Sequence, residues 1–195
     1  MKKAPNRVPP RSAGFTLLEL LVTVSVLALI VGIGVPSFQD IIRRNRLTEQ
    51  TNGLLSALAL ARSEATKRSG IVTVCPANDP EAPTACADDA DWTANGLIVF
   101  SDNIGDRGTL DSDEDNPETN DVVVLHLAPA STQNITISTD RGMVSYDRDG
   151  ALAQGTPSME FALVPEGCRG DDGGRVVQLT TTGRARSQKS DCNGD

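Results

Sequence analysis

Glu19 is the single charged residue in an otherwise apolar stretch, residues 15–35, FTLLELLVTVSVLALIVGIGV. A carboxylate inside a bilayer is expensive unless a cation pairs with it, so such an acid is first of all a recognition group. A second set of chemistry-bearing residues lies near the end of the sequence. In residues 175–190, RVVQLTTTGRARSQKS, Arg175, Arg184, Arg186 and Lys189 stand with no acid among them. Guanidinium forks suit phosphate oxygens, and Ser187, Gln188 and the threonines add neutral donors. Gly183 permits a turn, and Arg184 and Arg186 project to one side where the chain is extended.

Acids concentrate between these two sets. Residues 78–121 hold 13 Asp and Glu against Arg107, a net charge of −12. The run Asp111-Ser112-Asp113-Glu114-Asp115 invites a calcium reading. An EF-hand loop starting at Asp111 needs glycine at its sixth position and glutamate at its twelfth, where this chain has Asn116 and Val122. A solvated acidic loop is therefore the expectation, with no metal and no other cofactor. His126 is the sole histidine and sits in an apolar stretch, where it reads as a half-buried core residue. The four cysteines show no C-x-x-C spacing, against zinc or thioredoxin-like redox chemistry. No G-x-S-x-G, H-E-x-x-H or P-loop pattern occurs, so no enzyme is expected.

The elements that must position these groups follow from patterning. The chain has 195 residues, 38% hydrophobic and 23% charged, which suits one globular domain with an appendage. Six aromatic residues, four Phe with one Tyr and one Trp, are too few for a surface built on stacked bases. The net charge of −8 excludes a global polycation. Residues 1–14 carry Lys2, Lys3, Arg7 and Arg11 without an acid. The apolar stretch after them is long enough to cross a hydrocarbon core as a helix, and its basic flank stays on the cytoplasmic side. A secretory signal shares that layout, but GIGVPSF after the apolar run lacks an A-x-A cleavage pattern.

From residue 37 to 69 the spacing predicts a continuing amphipathic helix. Phe38, Ile41, Ile42, Leu47, Thr51, Leu54, Leu58, Ala61 and Ala65 step along one face and Gly70 provides a stop. Arg43, Arg44, Arg46, Arg62, Glu64 and Lys67 read as the solvated face. Beyond Gly70 the period falls to two. Strands are predicted at 71–75, 96–100, 122–127, 135–138, 143–146, 159–164 and 175–180. The cysteines at 75, 86, 168 and 192 allow three pairings, of which Cys75–Cys86 with Cys168–Cys192 is the simplest.

Gly14-Phe15-Thr16-Leu17-Leu18-Glu19, at the mouth of an apolar helix behind a basic leader, resembles the processing site of type IV pilins and type II secretion pseudopilins. Val72-Thr73-Val74-Cys75-Pro76, Asp91-Trp92, Gly96-Leu97-Ile98-Val99-Phe100 with Asp102, and Thr182-Gly183-Arg184-Ala185-Arg186 resemble the FimT/GspH class within that family. Leu97 and the acidic insert around Asp102–Asp121 depart from it. The resemblance implies an α+β, pilin-like fold. Its parts are a leader at 1–14, a membrane-spanning and filament-core helix at 15–36, an amphipathic helix at 37–69, kinked near Pro36, and a sandwich-like antiparallel domain at 70–195. It implies a prepilin peptidase that cuts after Gly14 and methylates Phe15. It implies a Glu19 that pairs with the α-amine of a neighbouring pilin as the subunit leaves the inner membrane for the filament. The domain would face the periplasm and then the cell surface. The same resemblance gives Gly183, Arg184 and Arg186 the double-stranded DNA-binding role of the Gly-Arg-x-Arg element in FimT-type minor pilins, in service of natural transformation and competence. Arg175 and Lys189 are added to that site from their charge. The alternative is a priming minor pilin or an H-type pseudopilin without DNA binding.

Overall fold

A computed structural model describes residues 14–87, 91–93, 95–102, 107–111, 120–127, 134–171 and 173–194, with the backbone alone at 34–37. The acidic run 112–119 lies outside the described residues, and so does the leader before Gly14. Two compact units divide the chain, residues 1–42 and 43–195.

The first unit holds the start of helix α1, Leu17–Arg68. Thr16 caps it: its Oγ1 accepts the Glu19 backbone N–H at 3.2 Å. Thr16 and Glu19 thus hold the positions of a capping box, and an acid in the first turn is favoured by the helix dipole. Mean hydropathy reaches 2.5 over an 18-residue window, none of it buried, which makes this the one described helix long and apolar enough to cross a membrane.

In the second unit, α1 buries the stripe that its periodicity predicts. Leu47, Thr51, Leu54, Leu58, Ala61 and Ala65 are buried, whereas Phe38 and Ile41, before the stripe, are exposed. Glu64 departs from the solvated face assigned to it. It is buried, and its carboxylate accepts from Arg68 Nε at 2.8 Å and Lys67 Nζ at 3.3 Å, which hold its pKa below the usual range. The helix stops one residue earlier than expected. Ser69, not Gly70, takes the left-handed conformation (φ 55°), while the N–H groups of Ser69 and Gly70 bond to Thr66 and Ala65 carbonyls. This is a Schellman-type cap with a serine at the position that glycine usually fills.

Among the described residues eight strands follow: β1 Val72–Pro76, β2 Leu97–Ser101, β3 Val123–Leu127, β4 Ile135–Ser138, β5 Val144–Tyr146, β6 Met159–Pro165, β7 Gly174–Leu179 and β8 Ala185–Ser190. They form two antiparallel sheets, ordered β3-β2-β1-β5 and β4-β6-β7-β8. One core takes the helix stripe, Val72, Val74, Val99 and Tyr146 from the first sheet, and Ile137, Phe161, Val177 and Leu179 from the second. Trp92 belongs to it, meeting Phe161 edge-on at 4.9 Å while its Nε1–H donates to the Arg141 carbonyl. On the other face of β1 and β2, Cys75, Ala77, Ile98 and Phe100 form a smaller buried cluster, against which Cys86, Leu110 and Met143 pack. Burial on both faces is why Leu97–Phe100 of β2 is an unbroken apolar run, whereas β1 carries the polar Thr73.

Disulfides join Cys75 to Cys86 and Cys168 to Cys192. His126 is half-buried in β3, and its Nε2 has no hydrogen-bond partner among the described residues. Asp102, just past β2, is buried and ties three strands together. Its carboxylate accepts from the Thr73 hydroxyl and, at 3.1 Å, from the Gly108 N–H, and Thr73 Oγ1 lies 2.8 Å from Ser145 Oγ. Burial outweighs these bonds and raises the Asp102 pKa above its ordinary value.

Candidate nucleic-acid interface

The basic segment expected beyond the last strand is itself a strand. Ala185–Ser190 forms β8, the edge of the second sheet, with four of its six residues exposed. An edge strand with polar side chains lacks the apolar alternation by which strands are read, so periodicity passes over it.

A tight connection between β7 and β8 sets out the basic residues. Gly183 N–H donates to Thr180 O at 2.8 Å, and Thr180 N–H donates to Arg184 O at 3.0 Å. Thr180 Oγ1 reinforces the turn by accepting the Arg184 N–H at 3.3 Å. Gly183 has φ 76°, and a Cβ built on it would stand 2.1 Å from Gly150 O. Both the backbone angle and the close approach exclude a side chain there. The position therefore has a structural requirement for glycine, independent of any ligand. Gly150 carries no charge and lies outside the basic segment, so nothing in the sequence marks it, and Thr180 reads there only as one of the neutral donors, although both position this turn.

Registry divides the five sequence-assigned residues. Arg186 pairs with Gln178 and Lys189 with Arg175. Directly paired residues share a face, and Val177 and Leu179 of β7 point into the core. Arg175 and Lys189 therefore share the core-side face at the far end of the hairpin. Arg186 lies on the opposite face beside Gln178, whose Nε2 donates to Glu160 Oε1 at 2.9 Å. Strand alternation, carried back across the Thr180–Arg184 bond, places Arg184 on the Arg186 side. The structure thus brings Gly183, Arg184 and Arg186 together and sets Arg175 and Lys189 apart. Arg184 and Arg186 are exposed, and neither has an acid partner among the described residues.

The remaining expected residues lie in the first unit. Gly14 and Phe15 precede the helix, both exposed, and Glu19 is in its first turn. No cluster of three or more His, Cys, Asp or Glu suited to a metal occurs among the described residues.

An acid-bearing apolar helix start, carried into a helix that packs on antiparallel sheets, defines the class of type IV pilins and pseudopilins. The family described as type II transport protein GspH matches residues 50–183, and the prokaryotic N-terminal methylation motif matches residues 9–35. The chain belongs to this GspH family. Its fold is similar to that of the type IV minor pilin FimU from Pseudomonas aeruginosa. In one crystal form that likeness has a TM-score of 0.55 at 20% identity, covering 76% of this chain and 96% of FimU. A second crystal form gives 0.52 at 20% identity over 75% and 99%. No curated protein matches the chain.

Proposed function

We propose that this minor pilin is processed between Gly14 and Phe15 by a prepilin peptidase, waits in the inner membrane with its domain in the periplasm, and joins a type IV pilus. In the filament it captures double-stranded DNA for uptake. Glu19 supplies the carboxylate that pairs with a neighbouring subunit's amino terminus during assembly. Arg184 and Arg186 supply the phosphate contacts. The observation that carries this reading is the pair of exposed arginines, without acid partners among the described residues, on one side of a turn held by Thr180 and Gly183. Arg175 and Lys189, on the other face, add to the field rather than to the same contact. Binding of this kind reads phosphate, not sequence.

The test uses the full chain in a non-ionic detergent, titrated with double-stranded DNA at low and moderate salt. Binding should weaken steeply as salt rises, with a log–log slope near −0.9 per phosphate engaged. Arg184→Gln and Arg186→Gln should each reduce both affinity and slope. Undiminished binding in both variants removes the site. A parent chain that does not bind DNA favours a priming subunit or a type II secretion pseudopilin, the reading to which the family's description points.

A further inference from the structure

The turn after β5 and the turn between β7 and β8 form one surface. In the first, Gly150 N–H donates to Asp147 O at 2.9 Å and Asp147 N–H donates to Ala151 O at 2.9 Å. Leu152 N–H then donates to Thr181 O at 3.0 Å, which bonds one turn to the other. Gly150 and Gly183 meet where the turns touch, both with positive φ. Arg62 of α1 runs alongside this contact: a Cβ built on Gly150 would stand 3.1 Å from Arg62 Nε and 3.2 Å from its Cγ. Arg62 thus reaches the contact between the glycines, and the chain places Arg148 two residues before Gly150 and Arg184 directly after Gly183.

Two of the nearby acids, Glu64 and Asp147, are engaged elsewhere, and the third, Asp149, is exposed. Glu64 is held by Lys67 and Arg68. Asp147 Oδ1 accepts the N–H groups of Asp149 and Ala151, at 2.9 and 3.1 Å. Among the described residues Arg62, Arg148 and Arg184 have no acid partner. Uncompensated guanidinium groups gathered in a chain of net charge −8 repel one another, and a bound polyanion relieves that repulsion.

We propose that Arg62 and Arg148 are phosphate ligands that extend the Arg184 and Arg186 surface, so that duplex DNA lies across both turns and the flank of α1. This rests on the reading of Arg184 and Arg186 as DNA contacts. Asp149, exposed in the same turn, opposes the polyanion and moderates its affinity.

The experiment is DNA titration of the full chain in non-ionic detergent between about 50 and about 200 mM salt. Arg62→Gln and Arg148→Gln should each weaken binding roughly threefold or more and lower the log–log salt slope by about 0.9. Arg62→Lys should keep the slope, and Asp149→Asn should tighten binding about twofold. Should Arg62→Gln also lower the unfolding midpoint, the exposed Arg148 and Asp149 variants decide. Loss of binding on replacing Arg184 and Arg186, with slope and affinity unchanged in Arg148→Gln and Asp149→Asn, overturns the extension and leaves the first site standing. Absence of DNA binding by the parent chain overturns both.

Discussion

Asp102 shows how one side chain can serve the fold and strain it under different conditions. The buried carboxyl accepts from Thr73 and Gly108, and through Thr73 it links to Ser145, so three strands share one polar group. Its pKa is raised, first by burial and further by Asp121, while the two hydrogen bonds and Arg107 pull it partly back. An unfolded aspartate titrates near pH ~3.9. Below that pH the group is neutral in both states and imposes no pH-dependent penalty. As pH rises through the folded pKa, the native state must ionise a buried group, and stability falls. Glu64 and Asp79, whose pKa values are lowered by ion pairing and by backbone N–H groups, act in the opposite sense on acidification. Their effects cancel when a variant is compared with its parent. The Thr73 hydroxyl and the Gly108 N–H both donate to the same carboxylate oxygen, Oδ2, so an asparagine whose amide oxygen takes that place would keep both bonds without a charge. Denaturant unfolding at several pH values should therefore show Asp102→Asn gaining on the parent from about pH 4 upward. A stability difference that stays constant across that range would overturn the assignment.

At the scale of elements, the β7–β8 hairpin is both the least legible part of the fold and the part closest to the candidate interface. The helix stripe from Leu47 to Ala65 and the seven core strands could be read in the sequence because burial imposes its own period on apolar residues. The division into two sheets could not, because β1 pairs with β5 and β4 with β6, and no local pattern encodes partners so far apart. β8 escaped because its pairing is carried by backbone groups, and Ser69 escaped because a capping geometry outweighed glycine preference. Of the basic residues, Gly183-Arg184-x-Arg186 could be read as a local motif, whereas the separation of Arg175 and Lys189 follows from registry alone. The edge strand is secured at its far end by Cys168–Cys192, which ties the residues after β6 to those after β8 across a separation of 24 residues. Replacing both cysteines with alanine should cost about 3 kcal/mol. Hydrogen exchange should locate the loss in β8 and the start of β7 and leave β1 and β2 protected. Uniform loss of protection would show that the bond stabilises the whole domain and does not specifically anchor its edge.

The whole molecule joins two units that meet the hydrophobic effect differently. Within 43–195 most large apolar residues are buried against one another, Val122 and Val123 being exposed, and the described core begins at Leu47. In the first unit Leu17, Leu18, Leu21, Val24, Leu27, Ile30 and Ile33 are all at least half exposed. So long an apolar surface requires lipid or other chains to cover it. The family's N-terminal methylation motif, over residues 9–35, falls on this same segment. Two consequences follow for removal of residues 1–42. The remainder keeps every described core residue, both disulfides and the Arg43 Nη1–H bond to the Gly167 carbonyl at 3.0 Å. It should fold alone, remain monomeric in aqueous buffer without detergent, and unfold within roughly 4 °C of the full chain in detergent, a difference of about 1–2 kcal/mol. The full chain should partition into lipid vesicles that the shortened chain leaves untouched. Circular dichroism, analytical ultracentrifugation and vesicle flotation measure these properties. A shortened chain that is unfolded or aggregated would mean that the domain draws stability from the preceding helix, and the division into an anchoring unit and a self-sufficient displayed unit would then be wrong.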